Sequence, residues 1–210
     1  MTLGVLGTGN VGSTLGRRFA ELGHDVIYGS RDPASRRVAE LLDGHPGSAR
    51  AETWAACASA ADMLLLAVPW AAVESVLAGV GDLGGRILID ATNPLRADLS
   101  GLAVAGDDSG GETVARLARG ARVVKAFNTV GTSVMANPCF GERRALLTVA
   151  GDDDDARAAV VELAAALGFE AVDFGPLVHA RYAEAMAMGW IFLAFQRGFG
   201  TDFAMTIARR

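Results

Sequence analysis

The apolar run Leu3 to Leu6 breaks directly into Gly7-Thr8-Gly9-Asn10-Val11-Gly12, and a helical pattern from Val11 to Leu22 follows at once. A strand that turns on three glycines at this spacing into a helix has few architectures open to it. Read as G-x-G-x-x-G, Gly7 permits the tight turn, Gly9 lets the backbone approach an anionic ligand, and Gly12 allows close helix–strand packing. The helix N-terminus then presents oriented N–H groups to phosphate. A second strand, Asp25 to Tyr28, completes the unit after Gly23 and His24. The pattern therefore predicts a doubly wound α/β sheet with a dinucleotide at its first turn, held by Gly7, Thr8, Gly9, Asn10, Val11 and Gly12. A glycine turn with no ligand is the competing reading, and the matched lengths of strand, turn and helix weigh against it.

The end of the second strand chooses the dinucleotide. An NAD site places Asp or Glu there to accept hydrogen bonds from the ribose 2′-hydroxyl. Here the residues are Tyr28-Gly29-Ser30-Arg31. Ser30 can donate a hydrogen bond and Arg31 offers a guanidinium fork to a 2′-phosphate, so NADP(H) is expected over NAD(H). Arg36 and Arg37 follow within a turn. Arg36 is taken to add charge and Arg37 to lie on a solvated helix face. Asp32 dissents, since a carboxylate one residue late can still reach a ribose. Two later loops, Val68-Pro69-Trp70 and Asn93-Pro94, stand at the carboxyl ends of strands, where open α/β sheets bind ligands. Both are candidates to line the ribose and nicotinamide, and each proline serves equally well as a strand terminator.

Along the rest of the chain, strand-length apolar runs alternate with helical patterns. Helices are expected at 33–42, 54–61, 71–77, 112–119 and 156–167, and one long C-terminal helix at 177–195. Strands are expected at 63–68, 86–89, 122–127, 145–150 and 169–174. Residues 43–52 read as loop with at most a weak strand, and Ser100 to Gly111 as the longest loop. No repeat and no long linker divides the chain. One domain over 1–210 is expected, with a dinucleotide-binding core at 1–150 followed by a strand and helices at 151–210. With 51% hydrophobic and 20% charged residues, a substantial core can be buried. A formal net charge of -5 argues against a nucleic-acid partner. The longest apolar stretch, Ala183 to Phe195, contains Glu184 and Gly189 and falls short of the ~20 residues of a membrane span. No charged leader precedes the first apolar run, and Cys57 and Cys139 lack metal-ligand spacing, so a cytoplasmic protein with reduced thiols is expected.

Three of these motifs, Gly7 to Gly12, Gly29-Ser30-Arg31 and Val68-Pro69-Trp70, occur in one frame. They are followed by Val123-Val124-Lys125-Ala126-Phe127-Asn128-Thr129, Gly151-Asp152-Asp153 and Asp173-Phe174-Gly175-Pro176-Leu177. Together they resemble the deazaflavin-dependent NADP reductase family, the NADPH:coenzyme F-420 oxidoreductases, whose relatives include the cytosolic domain of STEAP-type metalloreductases. The resemblance covers nearly the whole chain. It implies a compact Rossmann-like fold with a small helical C-terminal lobe, and a homodimer. It implies direct hydride transfer between nicotinamide and a deazaflavin ring, with the protein stacking and orienting the two. It also implies a pyrophosphate held by Thr8 to Val11 and a 2′-phosphate held by Ser30 and Arg31. One position departs. The archaeal deazaflavin enzymes have His-Thr where this chain has Asn128-Thr129, and the metalloreductase branch has Asn-Thr. The second substrate implied is therefore coenzyme F-420 or a flavin such as FMN or FAD.

Other chemistry-bearing residues carry less. His24, His45 and His179 stand far apart with no carboxylate or cysteine pattern and read as surface or capping residues, so no catalytic side chain is assigned. Asp152 to Asp155 read as a solvated helix cap rather than a metal site. Met186, Met188, Trp190, Phe192, Phe195 and Phe199 lie at helical spacing and are expected in the core or in a dimer seam, not as a ring-stacking wall. Apolar residues on more than one face between Tyr182 and Phe203 make that segment the expected homodimer contact. Two further functions fit the N-terminal pattern. One is an imine or pyrroline-carboxylate type reductase, which normally adds a long helical C-terminal domain. The other is a non-catalytic NADP(H)-binding regulatory module. The strand–helix–strand–helix order after 145 counts against the first.

Overall fold

The computed structural model describes residues 1–210. Its first unit is β1 (Thr2–Leu6), α1 (Asn10–Glu21) and β2 (Asp25–Ser30), followed by α2 (Arg36–Leu42) and β3 (Ala49–Thr53). Next come α3 (Trp54–Ala60), β4 (Met63–Leu66), a 3-10 turn at Trp70–Ala72, α4 (Val73–Val80) and β5 (Ile87–Asp90). A long loop leads to α5 (Gly110–Leu117), β6 (Arg122–Lys125) and α6 (Thr132–Ala136). The small hairpin β7 (Cys139–Phe140) and β8 (Arg143–Arg144) precedes β9 (Leu146–Gly151), α7 (Asp154–Ala166) and β10 (Glu170–Gly175). A 3-10 turn at Leu177–His179, α8 (Ala180–Ile191) and a π-helical turn at Phe192–Gln196 finish the regular structure.

Eight strands make one sheet in the order β10-β9-β6-β5-β4-β1-β2-β3. The six strands from β3 to β6 run parallel, whereas β9 lies antiparallel to β6, and β10 parallel to β9. The fold is Rossmann-like, with helices on both faces. Strand side chains alternate between the faces, so Val5, Leu65 and Ile89 enter the core under α1, α6 and α7, where they meet Leu15, Val134 and Val160. Their neighbours Leu6, Leu66 and Leu88 enter the opposite core, with Cys57, Leu77, Val114 and Ala180. Central strands buried on both sides explain the continuous apolar runs at β1, β4 and β5.

Three expectations need correction. The stretch 43–52 ends in a true strand, β3, pairing parallel with β2 from Val26↔Ala49 to Ser30↔Thr53. It is an edge strand with no buried residue, so it lacks the apolar run that marks the inner strands. The helix expected at 33–42 begins only at Arg36, because Asp32 and Ser30 shape a turn first. The long C-terminal helix is three pieces, and the chain then returns: Leu146 donates its N–H to the Met205 carbonyl at 2.8 Å, and Phe203 stacks on Trp190 at 5.2 Å between ring centres. No helix is long and apolar enough to cross a membrane. Both cysteines are free, Cys57 buried and Cys139 exposed.

Candidate dinucleotide site

The three glycines of the first turn are glycines for three different reasons. Gly7 has φ +128°, and a Cβ there would collide with the Ala67 carbonyl just past the end of neighbouring β4. A Cβ on Gly12 would collide with the Gly7 carbonyl, so α1 could not sit so close to β1. Gly9 differs. Its backbone is extended, which any residue adopts, and a Cβ there would meet nothing within 4 Å. The fold itself does not require glycine at position 9, and the space above it is open. Gly9 is also the N-cap of α1, which has no side-chain cap and no acidic residue in its first turn. The N–H groups at the start of α1, on Asn10, Val11 and Gly12, are thus left as an anion-binding end.

A cleft of about 480 Å³ opens beside this turn. Gly7, Thr8, Gly9, Ser30, Arg31, Val68 and Pro69 line it, together with Asp32, Ser35, Arg37 and Trp54. The Ser30 hydroxyl shares hydrogen bonds with the Asp32 backbone at 3.2 Å, and Asp32 Oδ1 accepts from the Ala34 N–H at 3.2 Å. Asp32 is therefore engaged in shaping its own turn, although it borders the cleft. The two later arginines exchange their expected places. Arg36 is 91% exposed, pairs with Glu40 at 2.7 Å one turn along α2, and does not line the cleft. Arg37 does line it, and neither Arg31 nor Arg37 has an acidic partner. Trp54 opens the helix expected from position 54, and it reaches the cleft because β3, at most a weak strand by sequence, pairs with β2 and ends beside Ser30.

The remaining expected residues lie outside this cleft. Trp70 begins the 3-10 turn and packs partly buried against the core under α3 and α4. Pro94 is buried, and the start of α5 at Gly110 comes against it. Asn93 joins Asn128 across the ends of β5 and β6: Asn93 Nδ2 donates to the Asn128 carbonyl at 2.8 Å, and Asn128 Nδ2 donates to Asn93 Oδ1 at 3.1 Å. Phe127, immediately before Asn128, is fully buried at φ +64°, a conformation that bulky residues rarely hold and that clusters at functional sites.

Directly behind that pair lies a charged cluster that sequence reading missed. Lys125 Nζ lies 2.9 Å from Asp90 Oδ2, 2.8 Å from Glu184 Oε1 on α8 and 2.6 Å from the Thr92 carbonyl. Asp90 and Lys125 are 0% exposed and Glu184 1%. Burial disfavours the ammonium, but the two carboxylates outweigh it and hold the Lys125 pKa above its ordinary value. The available signal was a charged residue closing each of two short strands whose inner residues are apolar, Ile87–Asp90 and Arg122–Lys125.

Residues set aside in the sequence take structural places. Tyr28 is buried with its hydroxyl 3.0 Å from His45 Nε2, His179 meets the Phe174 carbonyl, and Asp153 caps α7 by accepting from the Ala156 N–H at 2.7 Å. Asp152 accepts from the Leu177 N–H at 2.9 Å and so ties the acidic run to the approach of α8.

A family model described as NADP oxidoreductase coenzyme F420-dependent matches residues 2–94. The F420-dependent NADP reductase of Methanothermobacter marburgensis is 35% identical over 198 residues, which cover 88% of each chain. This chain belongs to that family. Members of the metalloreductase branch are related more partially: Metalloreductase STEAP3 of Rattus norvegicus is 32% identical over 187 residues, 89% of this chain but only 36% of the relative. A crystal structure from Arthrobacter sp. FB24, provisionally assigned as an F420-dependent NADP reductase, superposes with a TM-score of 0.89 at 34% identity over 99% of both chains. The reductive aminase of Aspergillus terreus, at 22% identity and a TM-score of 0.68, shares the fold over 62% of its length.

Proposed function

We propose that the protein is an NADP(H)-dependent oxidoreductase that transfers hydride between NADP(H) and coenzyme F-420. The observation that carries this reading is Gly9, whose missing side chain leaves open space above the start of α1, in the same cleft as two arginines without acidic partners, Arg31 just after β2 and Arg37 in the first turn of α2. In this reading Thr8 to Gly12 hold the pyrophosphate, and Ser30, Arg31 and Arg37 hold the 2′-phosphate. Val68 and Pro69 border the chain of contacts toward the nicotinamide, and Asn93 and Asn128 stand beyond them at the ends of β5 and β6. Bound NADP(H) supplies hydride chemistry, with the electron pair passing to the acceptor ring and the balancing proton coming from solvent. The protein's own task is to bind, orient and shield. A flavin as acceptor is the second reading, favoured by Asn128-Thr129 and by the likeness to STEAP3.

The chain reads as one domain over 1–210, because a single sheet runs from β1 to β10. We further infer a cytoplasmic homodimer. Phe192, Phe195 and Phe199 point outward, with Phe195 62% exposed, while Trp190 and Ile191 are buried. Exposed aromatic residues clustered in the π-helical turn and the segment just after it suit a second copy. The test of function is NADPH oxidation followed by absorbance with F-420, FMN, FAD and an imine as acceptors. Turnover with F-420 is expected. Turnover with the imine alone would reassign the enzyme, and turnover with none would leave a binding module.

A further inference from the structure

We propose that the buried Asp90–Lys125–Glu184 cluster tunes the site toward the oxidised, cationic form of the nicotinamide, and that Glu184 supplies the deciding charge. This rests on the NADP(H) reading above.

Two carboxylates and one ammonium are withdrawn from water together. Asp90 Oδ1 accepts from the Thr92 N–H at 2.9 Å and the Thr92 hydroxyl at 2.7 Å, and Oδ2 accepts from Lys125. Glu184 Oε2 accepts from the Gly110 N–H at 2.9 Å, and Oε1 from the Gly111 N–H at 2.9 Å and from Lys125. Each of these four oxygens meets at least one group that can only donate, a backbone N–H or the Lys125 ammonium, which is the hydrogen-bond environment of a carboxylate. The cluster carries one net negative charge, softened but not cancelled by the N-terminal end of α5. A single Asp–Lys pair would already neutralise Lys125 and hold the Thr92 carbonyl. The second carboxylate is costly to bury and is not explained by neutralisation.

Its placement suggests what the excess charge does. Leu66, Asp90 and Lys125 are register neighbours on β4, β5 and β6. Leu66 leads straight into Ala67, Val68 and Pro69, which line the cleft. The 2′-phosphate side of that cleft lies at β2, so a dinucleotide crossing the sheet runs from β2 over β1 to β4 and onward toward β5. The cluster therefore lies one to two strand spacings, about 5–10 Å, from the cleft's far end. Nicotinamide is a cation when oxidised and neutral when reduced. A buried negative charge at this range stabilises the cation selectively, and a unit charge across about 10 Å at an effective dielectric of about 20 shifts an equilibrium roughly tenfold. Such a site draws NADPH toward giving up hydride.

The experiment is isothermal titration of NADP+ and NADPH into the parent, Glu184→Gln and Glu184→Asp. Gln keeps the volume and one of the two acceptor oxygens for the α5 N–H groups while removing the charge, and the loss of the second acceptor affects both cofactor forms alike. The ratio of Kd for NADP+ to Kd for NADPH should rise roughly tenfold in Glu184→Gln and stay within about twofold of the parent in Glu184→Asp. A merely structural role weakens both forms together and leaves the ratio still, and that result overturns the proposal, as does a ratio that falls. If Glu184→Gln does not fold, Asp90→Asn removes the other carboxylate's charge and must move the ratio in the same direction. A parent that binds neither form refutes the NADP(H) reading itself, whereas a parent that binds both with an unmoved ratio refutes only this inference.

Discussion

Arg31, Arg36 and Arg37 show how much one helical register matters. Arg36 is spent on Glu40, while Arg31 and Arg37 stand at the cleft. Arg31→Ala and Arg37→Ala should each weaken NADPH binding by about 1.5–3 kcal/mol, the worth of a charged hydrogen bond, with NADH nearly unchanged. Arg36→Ala should alter neither. Titration of both cofactors into all three variants checks this, and equal affinity of the parent for NADH and NADPH would refute the 2′-phosphate assignment. Gly9→Val should abolish binding of either cofactor with a native far-ultraviolet circular dichroism spectrum, since the new side chain enters open space and strains nothing. Normal NADPH binding by that variant would mean the phosphates lie elsewhere. At this scale the glycine motif and Arg31 were legible because they are contiguous and sit at a strand's end. The Asp90–Lys125–Glu184 cluster was not, because its members are 35 and 59 positions apart and only the sheet and α8 bring them together.

Elements were legible where burial is complete. β1, β4 and β5 read as unbroken apolar runs because helices cover both faces, while β3, polar and at the edge, left almost no trace. The reversal of β9 against β6 was invisible for another reason: an apolar strand carries no mark of its direction, and here the direction is set by α6 and the β7–β8 hairpin between them. The acidic run before α7 was readable in kind, and the structure distributes its members. Asp153→Ala removes the N-cap bond to Ala156 and should cost about 1 kcal/mol, lowering Tm by roughly 2–4 °C in a chain this size. The exposed Asp155, on the same turn, should give a change within about 0.5 kcal/mol when replaced by Ala. Equal losses at both positions in differential scanning calorimetry would refute the cap assignment.

For the whole molecule, none of Phe192, Phe195 and Phe199 lines the cleft proposed for the cofactor, so association and binding can be measured apart. Light scattering at micromolar concentration should give about twice the 21.7 kDa of one chain. Phe195→Asp together with Phe199→Asp should return the mass to one chain without loss of NADPH affinity, and a parent already at 21.7 kDa would end the dimer proposal. The free arginines at the cleft have a consequence for traffic. The molecule as a whole carries a formal charge of -5, so it repels a multiply anionic cofactor at long range. Arg31 and Arg37, set against the single carboxylate of Asp32, leave the cleft lining with a local excess of positive charge. Encounter is then fast in dilute buffer and slows as added salt screens the two guanidinium groups, and stopped-flow association rates across ionic strengths would trace it. A doorway of this kind suits a cofactor that arrives, reacts and leaves on every turnover.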